Sequence, residues 1–204
     1  DMLKAIFDRQ KSLMDKYHDI EAKSGLLQTP DCPVNLDDKR GQARIKDFSW
    51  RVTEELGEAL DARNQNDHYQ EELIDGLHFL TELTILAGKD YDTLMDEVSP
   101  YCPDRLCQLV EDAQDLMLYY ESDRLDFWVT HFIEDIGMMC NCLKNKPWKQ
   151  SMMKTDREAF YVKLNDTWCS YITILVVSGM TAEDIANTYL KKSQVNQFRQ
   201  RSNY

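Results

Sequence analysis

Glycine and proline are scarce in this chain, at 7 and 5 of 204 residues. Folds made of short strands and tight turns need more of both. No segment alternates apolar and polar residues over a useful strand length, which argues against a sheet. The longest apolar stretch, Ile172–Val177, falls far short of the roughly 18 residues a membrane span needs. Basic charge is in deficit, with 24 Lys and Arg against 36 Asp and Glu and a net charge of −12. Duplex binding requires a basic surface, so a nucleic-acid partner is not expected. The cysteines Cys32, Cys102, Cys107, Cys140, Cys142 and Cys169 contain no C-x-x-C pair and complete no zinc motif. Reduced structural thiols and a cytoplasmic setting are the expectation. The charged, amphipathic N-terminus shows no signal-peptide pattern.

What remains is helical periodicity. Leu3, Ile6, Phe7, Gln10, Leu13, Met14 and Tyr17 form an i, i+3, i+4 stripe, which predicts a helix over 2–23 ending near Gly25. Residues 26–37, with Pro30 and Pro33, read as a loop. A second helix is expected over 38–63, and a third from a capping box of Asp67 with Gln70 to Ala87, with Gly88 beyond it. A short helix over 90–98 is followed by helices over 104–121, 124–144 and 155–178. Thr181 with Asp184 forms another capping box, opening a helix over 182–192 before a polar, less regular tail. The class is all-α, a helical bundle. Residues 1–204 read as one domain, with 90–145 a candidate helical insertion.

Two carboxylate clusters stand out: Glu54-Glu55-Leu56-Gly57-Glu58 and Glu71-Glu72-Leu73-Ile74-Asp75. In each, acids three apart (Glu55 with Glu58, Glu72 with Asp75) share one helix face. Glu55 also lies on the apolar stripe of Ile45, Phe48, Val52 and Ala59, where an unpaired carboxylate is costly. Two such faces opposed across a bundle make a ring of hard oxygen ligands. With no His or Cys in the set, Mg²⁺ or Mn²⁺ suits it better than zinc or copper, and Mg²⁺ usually arrives with a phosphate. A ferritin-like di-iron site would need two E-x-x-H motifs, and Asp75 with His78 gives only one D-x-x-H.

Two basic constellations interrupt the acidic composition. Near the C-terminus lie Tyr189, Lys191, Lys192, Asn196, Arg199, Gln200, Arg201 and Tyr204. Their cations suit phosphate oxygens, and the Asn196 amide suits a base edge. A loop with Lys144, Lys146, Trp148, Lys149 and Lys154 is the other, open to a role as a phosphate or lid loop or as a solvated loop with one anchoring Trp.

With these residues the chain resembles the all-α nucleoside triphosphate pyrophosphatases, and within them the dimeric dUTPases and related phage dCTPase-dUTPases. The E-E-x-x-E and E-x-x-D pair is the signature of that superfamily, MazG-like enzymes included. Asp75-Gly76-Leu77-His78-Phe79 looks like the D-x-x-H-F that continues the second motif in dimeric dUTPases. Tyr189, Lys192, Asn196, Arg199, Gln200 and Tyr204 fit the family's closing pattern Y-x-x-K-x-x-x-N-x-x-R-Q-x-x-G-Y, with Asn203 where Gly is usual. The N-terminal helix with Gln10 fits the family's first motif. Ala62-Arg63-Asn64-Gln65 departs from the Trp-rich segment that many members carry there.

The resemblance implies Mg²⁺-dependent hydrolysis of dUTP to dUMP and pyrophosphate by a homodimer. Glu55, Glu58, Glu72 and Asp75 would then hold two or three Mg²⁺ ions, with Mn²⁺ able to substitute, and lower the pKa of a bound water. Glu55, or Glu54 as second choice, would deprotonate that water. Lys192, Arg199 and Tyr204 would grip the phosphates. Gln10, His78, Phe79 and Asn196 would meet the base, and the loop of Lys146, Trp148 and Lys149 would close over phosphates or a partner subunit. A dCTP or broader dNTP pyrophosphatase is the alternative enzyme, because one amide flip reverses a uracil-type donor-acceptor pattern. A non-catalytic helical interaction protein, its acids a solvated face, is the alternative of another class.

Overall fold

The computed structural model of the chain describes residues 1–95 and 98–202. Seven α-helices account for its regular structure, and no strand occurs among the described residues. The order is α1 (Met2–Ser24), α2 (Lys39–Asn64), α3 (Gln70–Leu86), α4 (Arg105–Tyr119), α5 (Leu125–Asn141), α6 (Arg157–Val177) and α7 (Ala182–Arg201). The all-α expectation therefore holds. No single helix among the described residues is long and apolar enough to cross a membrane.

The helices begin and end where their terminal residues dictate. Asp1, Asp38, Asp104 and Asp156 accept hydrogen bonds from the otherwise unpartnered amides at the starts of α1, α2, α4 and α6. α1 stops at Gly25, whose φ of 75° lies in the left-handed region that glycine enters freely. The Thr181–Asp184 capping box is formed. The one expected from Asp67 and Gln70 is not: Asp67 Oδ1 accepts from the His68 amide, and α3 starts at Gln70 without a side-chain cap. Residues 91–95 form turns rather than a helix, held by Leu94 N donating to Asp90 O at 2.9 Å; Asp96 and Glu97 lie outside the described residues.

α3 is the hub. It packs on α1, α2, α6 and α7, so most of its surface is covered. Leu73, Ile74, Leu77, Leu80, Leu83 and Leu86 are all buried. From α6, Trp168 donates its indole N–H to Thr84 Oγ1 at 2.8 Å and stacks on Phe7 of α1. α4 and α5 pack mainly on α6. α7 is longer than its polar composition predicts, running as helix to Arg201 rather than loosening after 192. Ile185, Tyr189 and Ser193 form a buried i, i+4, i+8 stripe against α1 and α3, and tertiary burial rather than helix propensity holds it there.

Candidate active site

Helix α3 carries a line of polar residues at intervals of four and three: Glu71, Asp75, His78 and Glu82. On a 3.6-residue helix these stand on one face. α1, α2 and α7 rise around that face and enclose a cavity of about 500 Å³, within the range of small-ligand sites. Gln10, Phe79, Arg51, Lys192, Asn196 and Arg199 are among its lining residues.

At one end the acids meet. One carboxylate oxygen from each of Glu55, Glu58 and Glu72 lies within 4.8 Å of the others. Asp75 stands a turn beyond Glu72, but its Oδ2 accepts from Lys192 Nζ of α7 at 2.8 Å. Partial burial, then the neighbouring charges of Glu58 and Asp75, pushes the Glu55 carboxyl up to about 8. Burial and the Asp75 charge raise Glu72, and burial raises Asp75 against the opposing pull of Lys192. The donor set fits a hard divalent cation, since it is all carboxylate and its own repulsion favours added positive charge.

Tyr171 of α6 backs this cluster, fully buried, its hydroxyl donating to Leu73 O at 2.6 Å. Close approach is possible because residue 76 is glycine. A Cβ there would stand 2.0 Å from the Tyr171 hydroxyl.

The other end of the cavity is a buried polar network. Tyr189 OH donates to Gln10 Oε1 at 2.6 Å, and Gln10 Nε2 donates to Glu82 Oε2 at 3.2 Å. Glu82 is 5% exposed, and burial pushes its carboxyl up to about 7. His78 stacks on Tyr189 with ring centroids 3.8 Å apart. Its Nδ1 faces Ile74 O at 2.9 Å, while Nε2 is buried with no hydrogen-bond partner. Burial pulls the imidazole down to about 4, so it is neutral at pH 7. On the rim, burial would raise Glu21, but hydrogen bonds from Arg44 and Arg51 outweigh it and hold the carboxyl low. Arg51 also lies over the Phe48 ring at 4.2 Å, beside Phe79.

The predicted residues thus divide. Gln10, Glu55, Asp75, His78, Phe79, Lys192, Asn196 and Arg199 share the cavity, with Glu58 and Glu72 clustered on Glu55. Glu54 does not line it: it is exposed, because adjacent helical residues point about 100° apart. Lys146, Trp148 and Lys149 do not line the cavity either; their loop is tied to the first half of α2 by Lys39 Nζ donating to Lys149 O and Lys46 Nζ to Asn145 O. Tyr204 lies outside the described residues. Sequence reasoning passed over Glu82, Tyr171, Gly76 and Arg51. For Glu82 a signal existed, since it falls seven residues after Asp75 and four after His78 on the same face.

Residues 59–204 match the model of a protein family described as dUTPase. The matched segment holds α3 and α7, while α1 and the Glu54–Glu58 motif precede it. No curated protein and no solved structure matches the chain.

Proposed function

The chain belongs to the dUTPase family, and from that membership we propose that it hydrolyses dUTP to dUMP and pyrophosphate with Mg²⁺. The observation that carries this is the two-ended cavity: clustered carboxylates at one end, a buried Tyr189–Gln10–Glu82 hydrogen-bond network with His78 stacked on Tyr189 at the other, and the cations of α7 along the wall. A nucleoside triphosphate has the same division of chemistry.

Glu55, Glu58 and Glu72 would hold the metal, with Asp75 joining once Lys192 leaves it. When bound, Mg²⁺ supplies charge neutralisation of the triphosphate and acidifies water. Glu55, whose carboxyl is raised by burial and by its acidic neighbours, takes the proton of the attacking water. The water oxygen bonds to the α-phosphorus, the bond to the bridging oxygen breaks, and pyrophosphate leaves. Lys192 and Arg199 hold its oxygens by charge-assisted hydrogen bonds. Phe79 offers a face to the base.

Uracil is favoured over cytosine by the Gln10 amide. Its oxygen takes the Tyr189 hydroxyl and one N–H goes to Glu82, which leaves a second N–H as a donor. A donor suits the C4 carbonyl of uracil and opposes the amino group of cytosine. The expected partner is a second copy of the chain. Exposed Trp50, Phe198, Val195 and Ile20 stand on or beside cavity-lining residues and suit such a contact. Sedimentation then gives about twice the 24.0 kDa chain mass.

Hydrolysis in H₂¹⁸O tests the point of attack. Label in dUMP and none in pyrophosphate is the expected result. Label in pyrophosphate would move the attack to the β-phosphorus and refute the mechanism.

A further inference from the structure

A second cavity, of about 670 Å³, opens between the end of α1, the first turns of α2 and the loop at 145–147. Lys46 on its wall is nine residues before Glu55, or about 13 Å along the helix axis, so this is a separate place from the acid cavity. Its lining includes Lys39, Arg40 and Lys46 and no acid. That is unusual in a chain of net charge −12. None of the ion pairs among the described residues uses Lys39, Arg40, Lys46 or Lys146. The acids at this end of α2 are engaged elsewhere: Asp38 caps the helix and Asp37 pairs with Arg157.

The ammonium groups are satisfied only by neutral carbonyls. Lys46 Nζ donates to Asn145 O at 2.8 Å, and Lys39 Nζ to Lys149 O at 3.2 Å. Burial chiefly, and then the nearby Lys146, lowers Lys46 below the ordinary lysine range.

The floor is built from buried amides. Gln42 and Asn145 are 1% and 3% exposed. Gln42 Oε1 accepts from the Asn145 backbone N–H at 3.0 Å, and Asn145 Oδ1 accepts from Met153 N at 2.9 Å. These bonds fix which way the Asn145 amide points. Its Nδ2 is left buried with no acceptor. A buried donor without a partner is costly, and a ligand oxygen would remove that cost.

We propose that this cavity is a second anion site that takes a phosphate group, with Lys39, Arg40 and Lys46 around its oxygens and Asn145 Nδ2 as a neutral donor. A phosphate offers more oxygens and more charge than a carboxylate, which matches three cations plus an amide. The cavity has room for more than one phosphate. Exposed Leu26 lines it and exposed Trp148 follows Pro147 at its edge, so the phosphate is either free or carried by a nucleoside. The site stands independently of how the acid cavity is read.

Calorimetric titration of the full chain with inorganic pyrophosphate, in EDTA at low ionic strength, tests it. Wild type should show saturable binding that Arg199→Ala leaves intact. Arg40→Gln, at an exposed position, should weaken it about tenfold, with helical content unchanged by circular dichroism. Asn145→Asp should weaken it further by placing an anion in the floor. A parallel titration with dUMP, counting only the binding that Arg40→Gln weakens, separates the sources: tighter binding than pyrophosphate assigns the site to nucleotides, and weaker binding to free polyphosphate. Absence of saturable binding, or binding lost in Arg199→Ala and retained in Arg40→Gln, would overturn the proposal.

Discussion

Lys192 Nζ of α7 stands 2.8 Å from Asp75 Oδ2 of α3, so an ammonium occupies one corner of the acid cluster. Both side chains are about three-quarters buried, at 23% and 27% exposure. The pair explains why Asp75 lies apart from the close triad of Glu55, Glu58 and Glu72. It also gives Lys192 two competing partners, the Asp75 carboxylate and the substrate phosphate.

Lys192→Ala separates those two roles. With Asp75 released, Mg²⁺ titrated in the absence of nucleotide should bind at least as tightly as to wild type. The kcat/KM for dUTP should fall about tenfold or more, the worth of one charge-assisted contact. Weaker Mg²⁺ binding in the variant would mean that the ammonium supports the cluster rather than competing within it.

Stability should depend on pH with an uncommon sign. Glu82 ionises at about 7 in the folded chain, against an ordinary 4.5. At pH below 4.5 both states keep the proton. Between pH 4.5 and about 7 the unfolded chain gives up its proton while the folded chain holds it. Stability is therefore lost across that window, by an amount on the order of 3 kcal/mol in all, and levels off above it. Glu55 acts in the same direction up to about 8. In EDTA the thermal midpoint should drop between pH 5.5 and 8.5. Glu82→Gln keeps an acceptor for Gln10 and has no proton to lose, so its midpoint should be higher at pH 8.5 and nearly flatter across the range. A wild-type midpoint that rises toward pH 8.5 would contradict the burial of an ionising Glu82.

Gly76→Ala should destabilise the fold by about 2 kcal/mol, the range for overpacking a filled interior. The added carbon would meet the Tyr171 hydroxyl at 2.0 Å. Removing that hydroxyl in Gly76→Ala/Tyr171→Phe should recover part of the loss. Urea unfolding of the two singles and the double measures the coupling. Purely additive losses would show that the contact is not the cause.

Arg199→Ala should lower kcat/KM for dUTP about tenfold or more while leaving Mg²⁺ binding without nucleotide unchanged. Steady-state kinetics beside calorimetry checks both halves. Unaltered kcat/KM would remove α7 from the phosphate grip.

Much of this was legible from residue spacing, and its limits have physical causes. Acids three apart on apolar-striped helices can be placed on a face without knowing the fold, so Glu55, Glu58, Glu72 and Asp75 were readable. Gln10, His78 and Asn196 came from the resemblance to the dimeric dUTPases, and all three line the cavity. Spacing puts Glu82 on the face of Asp75 and His78, but its burial was not readable, because a lone charge in a periodic pattern reads as exposed. Its burial comes from Gln10 and Tyr189, which are far away in sequence. The place of the loop at 144–149 was equally hidden, since its docking depends on Gln42 and Lys46 of another element. The length of α7 was underestimated because Ser193 belongs to its buried stripe without being apolar.

The central claim is that the clustered carboxylates run metal-dependent pyrophosphate release. The most direct measurement is pyrophosphate and dUMP production from dUTP, by wild type and Glu55→Gln, with Mg²⁺ and with EDTA, on samples matched in helical content. Wild type should release both products in equal amounts only with Mg²⁺, and Glu55→Gln should lose at least about a hundredfold of that rate. Turnover by wild type in EDTA, or near-normal turnover by Glu55→Gln, would contradict the account.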